Sequence, residues 1–188
     1  MRWQRLFADL SAEFAAAEAA EQRAEAADRT RLEVGAIRLV DRLSGAGDSA
    51  VLLRLAGVGE LRGVVREVGS GWLLLTEDGH REVLVALSAV RAVGGLDRTT
   101  GVGGTGLVAA RLDLRWAARG LARDRSPVQV LLGDGGVFSG TVDRVGADFL
   151  ELAEHAPAEP RRAAAVSGVW AVPLSAIAAI RRLEPGLG

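Results

Sequence analysis

The sequence predicts a mainly β fold with helices: two small five-stranded barrels in tandem, each preceded by a helix, plus a long helix at the N-terminus. Three observations point there. One stretch of alternating apolar residues and glycines occurs twice, a glycine-rich run separates the two copies, and the chain opens on an Ala- and Glu-rich segment without proline. Period-two alternation marks half-buried strands, glycine marks the turns between them, and a long run of strong helix formers marks a helix.

The duplication is read residue by residue. VLLRLAGVGELRGVVREVGSGWLLL (51–75) and VQVLLGDGGVFSGTVDRVGADFLEL (128–152) align without a gap, each residue falling on the one 77 positions later. Val51/Val128, Leu55/Leu132, Gly59/Gly136, Gly63/Gly140, Val65/Val142, Val68/Val145, Gly69/Gly146, Leu73/Leu150 and Leu75/Leu152 are identical, and Trp72/Phe149 keeps an aromatic ring. VALSAV (85–90) and VPLSAI (172–177) then match 87 positions apart, so ten extra residues fall within 153–169 as a longer loop. Repetition at a fixed spacing means two similar modules. A module of about 45–60 residues has a marginal core by itself, so the two are expected to lean on each other.

The first segment, 1–43, reads as helical. Trp3, Phe7, Leu10, Phe14 and Ala17 share one stripe of a helix by their four-three spacing, and the stripe thins to Ala20, Ala24 and Ala27 beside Glu18, Glu21 and Glu25. Gly35 is the weak point, and Ile37 to Leu43 lead into the first module. The stripe sustains about two heptads, short of the three or four a coiled coil needs. Packing within the chain is its expected use, and self-association through Trp3, Phe7, Leu10 and Phe14 is the alternative.

The turn cluster SGAGDS (44–49) ends the helix. Strands follow at 51–55, 61–68, 72–76, 83–85 and 90–93, with a short turn at Leu87-Ser88-Ala89 between the last two, and together they make a first barrel at 44–93. GGLDRTTGVGGTG (94–106) is the linker. The remainder, 107–188, holds a helix at about 107–123 and the second barrel, with strands at 128–132, 137–145 and 149–153. The helix also obeys the repeat, since Ile37, Arg38 and Arg42 match Leu114, Arg115 and Arg119.

GVVREVGSGWLLL and GTVDRVGADFLEL resemble the first motif of the Sm/LSm family, a Gly, an alternating strand, a tight turn and a further apolar strand. LVALSAVRAV and AVPLSAIAAI resemble its second motif, in which a brief turn joins the last two strands. The likeness covers 37–93 and 114–182, and SH3-like barrels share parts of the pattern. It implies Sm-like barrels as the fold. It does not carry over the family's uridine site: Gly69 and Gly146 stand near its motif Asp, Ala86-Leu87 and Pro173-Leu174 stand where it has Arg-Gly, and the chain has no Asn.

Composition narrows the function classes. A net charge of −1 gives no global attraction to nucleic acid or to an anionic membrane. All 23 basic side chains are Arg, while Lys, Asn, Tyr and Cys are missing, the bias of a GC-rich bacterial genome. Without cysteine there is no disulfide, thiol nucleophile or thiolate metal site. MRWQRLFADLSAEF carries Asp9 and Glu13 where a signal peptide needs an apolar run, and no segment has the length of a membrane span. A cytoplasmic protein with no membrane partner is expected.

Each chemical motif has a plain reading beside it. GVGGTG (101–106) spells a dinucleotide fingerprint but follows no parallel strand, so it reads as linker. No GxSxG, HExxH or Walker sequence occurs, and no catalytic, cofactor-binding or metal-binding residue is expected. His80 and His155 read as exposed loop histidines. Arg111, Arg115, Arg119 and Arg123 step along the second helix at four-residue intervals, and Arg161 and Arg162 sit in the inserted loop; these are the candidates for phosphate contact. Small open barrels expose strand edges that are commonly covered by another strand. The expected function is therefore a non-enzymatic assembly or adaptor protein whose partner is itself, as a homo-oligomer, or another protein. The alternative is a nucleic-acid-binding regulator of RNA or DNA that uses the arginine helix.

Overall fold

A computed structural model describes residues 2–78, 80–97, 112–156 and 165–183. The chain divides into two compact units, Met1–Arg38 and Leu39–Gly188. The first is α1 (Arg2–Ala36). Every side chain from Glu13 to Ala36 is exposed, so this helix rests on the propensity of its Ala, Glu and Arg residues and on local contacts. Among these are the Arg31–Asp28 ion pair at 2.9 Å and the hydrogen bond from Thr30 Oγ1 to the Ala26 carbonyl. The helix stops one residue beyond Gly35, as its weak point predicts.

The second unit is one antiparallel sheet of ten strands: β1 (Ala50–Leu55), β2 (Gly59–Val68), β3 (Trp72–Glu77), β4 (Arg81–Ala86), β5 (Val90–Gly94), β6 (Pro127–Leu132), β7 (Val137–Val145), β8 (Phe149–Glu154), β9 (Gly168–Pro173) and β10 (Ile177–Arg182). Their order across the sheet is β5-β1-β2-β3-β4-β10-β6-β7-β8-β9. Two five-strand blocks with the same internal order meet where β4 pairs with β10. A helix precedes the first strand of each block, α2 (Leu39–Ser44) in one and α3 (Leu114–Asp124) in the other. A single 3-10 turn, Leu87–Ala89 or Leu174–Ala176, joins the last two strands of each.

The blocks repeat in register as well as in order. Val51 faces Gly63 across β1 and β2, and Val128 faces Gly140 across β6 and β7. Pairing slips by one residue between Val65 and Glu67 against β3, and between Val142 and Arg144 against β8. A second slip leaves Arg91 unpaired against β1 and Ala178 unpaired against β6. Such bulges bend a strand and sharpen its twist. The bend is served by glycine: a Cβ at Gly63 would lie 2.4 Å from the Thr76 carbonyl oxygen, and one at Gly140 2.1 Å from that of Ala153.

Each block has an apolar core. One cluster gathers Leu43, Val51, Leu53, Leu61, Leu73, Leu75 and Val85; the other gathers Val128, Val130, Val142, Leu150, Leu152, Ile177 and Ile180. They trade residues at the seam, for Leu131 and Ala179 of the second block join the first cluster, while Trp72 and Leu84 of the first join the second. α3 lays Leu114, Ala117, Leu121 and Ala122 on the second core.

The unit is mainly β with helices, as the sequence predicts; its ten strands form one continuous antiparallel sheet and no closed barrel, because β4 takes its free hydrogen-bonding edge to β10 and β5 stays at the margin. One sequence expectation is corrected here. The second helix begins at Leu114, not near 107. Asp113 is its cap, with its side chain accepting from the Trp116 amide at 2.8 Å; residues 107–111 lie outside the described residues. Among the described residues no helix is long and apolar enough to cross a membrane.

Candidate functional site: two free sheet edges

Among the described residues the sheet ends in two strands that pair on one side only, β5 with β1 and β9 with β8. A free edge presents a row of unpaired amides and carbonyls, and proteins commonly guard it with charge, proline or a short strand. β9, GVWAVP, carries no charged side chain and has a proline, Pro173, at its end. Val169 is 61% exposed and Trp170 47%. The indole of Trp170 is held in place: its ring meets Phe138 at 5.3 Å between centroids, and its Nε1 donates to Glu154 Oε2 at 2.7 Å. On β5, Ala92 and Gly94 are exposed and Val93 is half-buried, and the one charge is Arg91, which donates to the Ser88 carbonyl.

The seam shows what such edges look like when joined. Val83, Leu84 and Val85 of β4 face Arg181, Ile180 and Ala179 of β10, and all but Arg181 are buried. Charge frames the junction: Arg181 Nε meets Glu77 Oε2 at 3.1 Å in a largely buried pair, and Arg182 meets Glu82 at 3.2 Å on the surface. A cleft of 380 Å³ opens beside it, lined by His80, Arg81, Glu82, Ser126, Pro127, Arg182 and Leu183. Its charges are already satisfied, Arg81 by Asp78, Arg182 by Glu82, and His80 Nδ1 by the Asp78 carbonyl.

The arginine row is only partly displayed. Arg119 and Arg123 are exposed on α3, and no described residue forms an ion pair with either. Arg115 is half-buried; its Nε is buried without a hydrogen bond, with Asp113 Oδ2 3.6 Å away. Arg111, Arg161 and Arg162 lie outside the described residues. Phe7 and Phe14 are exposed on α1, at 63% and 75%, and Trp3 and Leu10 fall on the same helix.

The two histidines part company. His80 is exposed, as expected, but His155 is 3% exposed. Its Nδ1 lies 2.9 Å from the Ala156 carbonyl and its Nε2 2.8 Å from Thr141 Oγ1. A carbonyl only accepts, so Nδ1 carries a proton, and in the neutral ring Nε2 accepts from the threonine hydroxyl. This is a satisfied structural pair within the second block. Among the described residues no group of three or more His, Asp or Glu side chains could hold a metal ion.

Sequence reasoning missed the β9 edge because Val169 fell at the end of the inserted loop. The signal was present: at the 87-residue offset SGVWAV matches the stretch opening β4, with Trp170 in the place of Val83. Compared with known proteins, the chain matches no family model and no curated protein.

Proposed function

We propose that this protein is a non-enzymatic assembly or adaptor protein, a tandem pair of Sm-like modules that self-associates. The observation that carries the reading is the uncharged, exposed edge strand β9 with Val169 and Trp170 on it. The repeated strand order, the repeated bulges and the glycines at the bends support the Sm-like description of each block. Light scattering on a size-exclusion column tests self-association, with a multi-chain mass expected. A strict monomer at high concentration sinks it.

The second reading, a nucleic-acid-binding regulator, has exposed Arg119 and Arg123 in its favour. It predicts a gel shift with RNA or DNA that survives physiological salt and weakens when Arg119→Glu and Arg123→Glu are combined. Binding seen only at low salt is nonspecific electrostatics.

A further inference from the structure

We infer that the first block binds a free branched-chain amino acid in a pocket between α2 and β2. The inference stands apart from the assembly reading and uses none of its residues. The pocket measures 230 Å³; Leu43, Val65 and Val68 supply its apolar lining, and Ser44, Asp48 and Arg66 its polar lining. Pockets for drug-sized ligands run to about 300–1,000 Å³, so this one takes a smaller molecule.

The pocket arises because the two blocks are covered unequally. α3 is eleven residues long and lays Leu114, Ala117, Leu121 and Ala122 on the second core. α2 is six residues long and buries Leu43, with Val40 packed on the first core. The strand that each helix packs on records the difference. Val65 of β2 is half-buried, whereas its counterpart Val142 of β7 is 0% exposed. At the 77-residue offset Ser44 stands in the place of Leu121, and Leu43 in that of Gly120. The second block thus carries a leucine where the first has a serine, whose hydroxyl is spent on the Val40 carbonyl at 2.8 Å. What the first block lacks at this position is a branched aliphatic chain.

The polar lining fixes the other end of the ligand. Arg66 Nη1 donates to Asp48 Oδ1 at 3.1 Å, and its Nε donates to Thr76 Oγ1 at 3.4 Å. The Asp48 side chain is 96% exposed and that of Arg66 47%, and an ion pair so exposed contributes little. A ligand parts it at small cost when it brings a charge of each sign. An α-amino acid does so. Its carboxylate takes the guanidinium, its ammonium takes the Asp48 carboxylate, and its side chain enters among Leu43, Val65 and Val68. The exchange leaves no charge without a partner, whereas an acid or an amine with the same chain would satisfy only one of the two.

Calorimetric titration of the full chain with L-leucine, glycine and N-acetyl-L-leucinamide tests each part. L-leucine should bind at one site per chain. Glycine has the charges without the chain and the amide has the chain without the charges, so each should bind about tenfold more weakly. Ser44→Leu places in the pocket the side chain that the second block carries, and should abolish leucine binding without lowering the unfolding temperature. Arg66→Gln, on the exposed rim, should weaken binding by about two- to fivefold. The inference is overturned if leucine does not bind the wild type, or binds Ser44→Leu equally well, or binds no better than the amide. Should Ser44→Leu fail to fold, Arg66→Gln decides, and an unchanged affinity there overturns the site.

Discussion

Several single residues in the second unit are chosen for what their neighbours forbid. At Gly63 and Gly140 the obstacle to a side chain is a carbonyl oxygen of the adjacent strand, at 2.4 and 2.1 Å, and backbone cannot rotate away as a side chain can. Gly63→Ala and Gly140→Ala should each destabilise by about 1–3 kcal/mol, the usual cost of overpacking, read as a lower urea midpoint at unchanged slope; a change within 0.5 kcal/mol would refute the tight-bend account. At Gly69 and Gly146 the obstacle is instead the ring of Trp72 or Phe149. Trp72 is buried and its Nε1 is tied to the Leu112 carbonyl at 2.8 Å, while Phe149 is only half-buried, so the first position should tolerate alanine less well. The His155–Thr141 pair is another local dependency. Thr141→Val keeps the shape but leaves Nε2 buried without its donor, at a cost of about 1–3 kcal/mol, measurable by chemical denaturation; a neutral result would mean that water reaches the ring.

At the scale of elements, α3 shows both ends of a helix under separate control. Asp113 satisfies the Trp116 amide at the start, and Arg125 ends it in a left-handed conformation with φ 51°. Asp113→Ala should cost about 1 kcal/mol, and Arg125→Gly should be stabilising by about 0.5–1 kcal/mol because glycine adopts positive φ without steric strain. In a chain of this size 1 kcal/mol moves Tm by about 2–4 °C, so thermal scans should separate the two variants in opposite directions; movement in one direction would show that the caps do not act as described. Strands of this sheet were legible because β1, with Val51, Leu53 and Leu55 buried and Leu52 and Arg54 exposed, alternates as a half-buried strand must. Strands β4 and β10 were harder, since burial on both faces at the seam removes the alternation. How the two blocks join was hidden for a related reason: alternation says which face is buried and is silent on which neighbour completes the hydrogen bonds. His155 was misread because its partner Thr141 is 14 residues away and has valine at the matching place in the first block, so the repeat carries no trace of the pair.

For the whole second unit, the seam decides whether two marginal blocks unfold as one. Their cores exchange side chains across β4 and β10, and a largely buried ion pair spans the same junction. The turn at Gly57 also approaches the turn holding Gly133 and Gly135 so closely that a Cβ there would lie 2.5 Å from the Gly135 amide nitrogen. Shared cores and touching turns couple the blocks, so global opening should expose both. Native-state hydrogen exchange should accordingly give the slowest amides of β1–β3 and of β6–β8 one common opening free energy. Leu84→Ala is the decisive variant, because Leu84 belongs to a strand of the first block and a core of the second. Removing it should lower that common value by about 2–5 kcal/mol, as for other buried leucines, and should do so equally in both blocks. If protection falls in β6–β8 alone and β1–β3 keep theirs, the sheet is continuous in hydrogen bonding but not in stability, and each block folds on its own account.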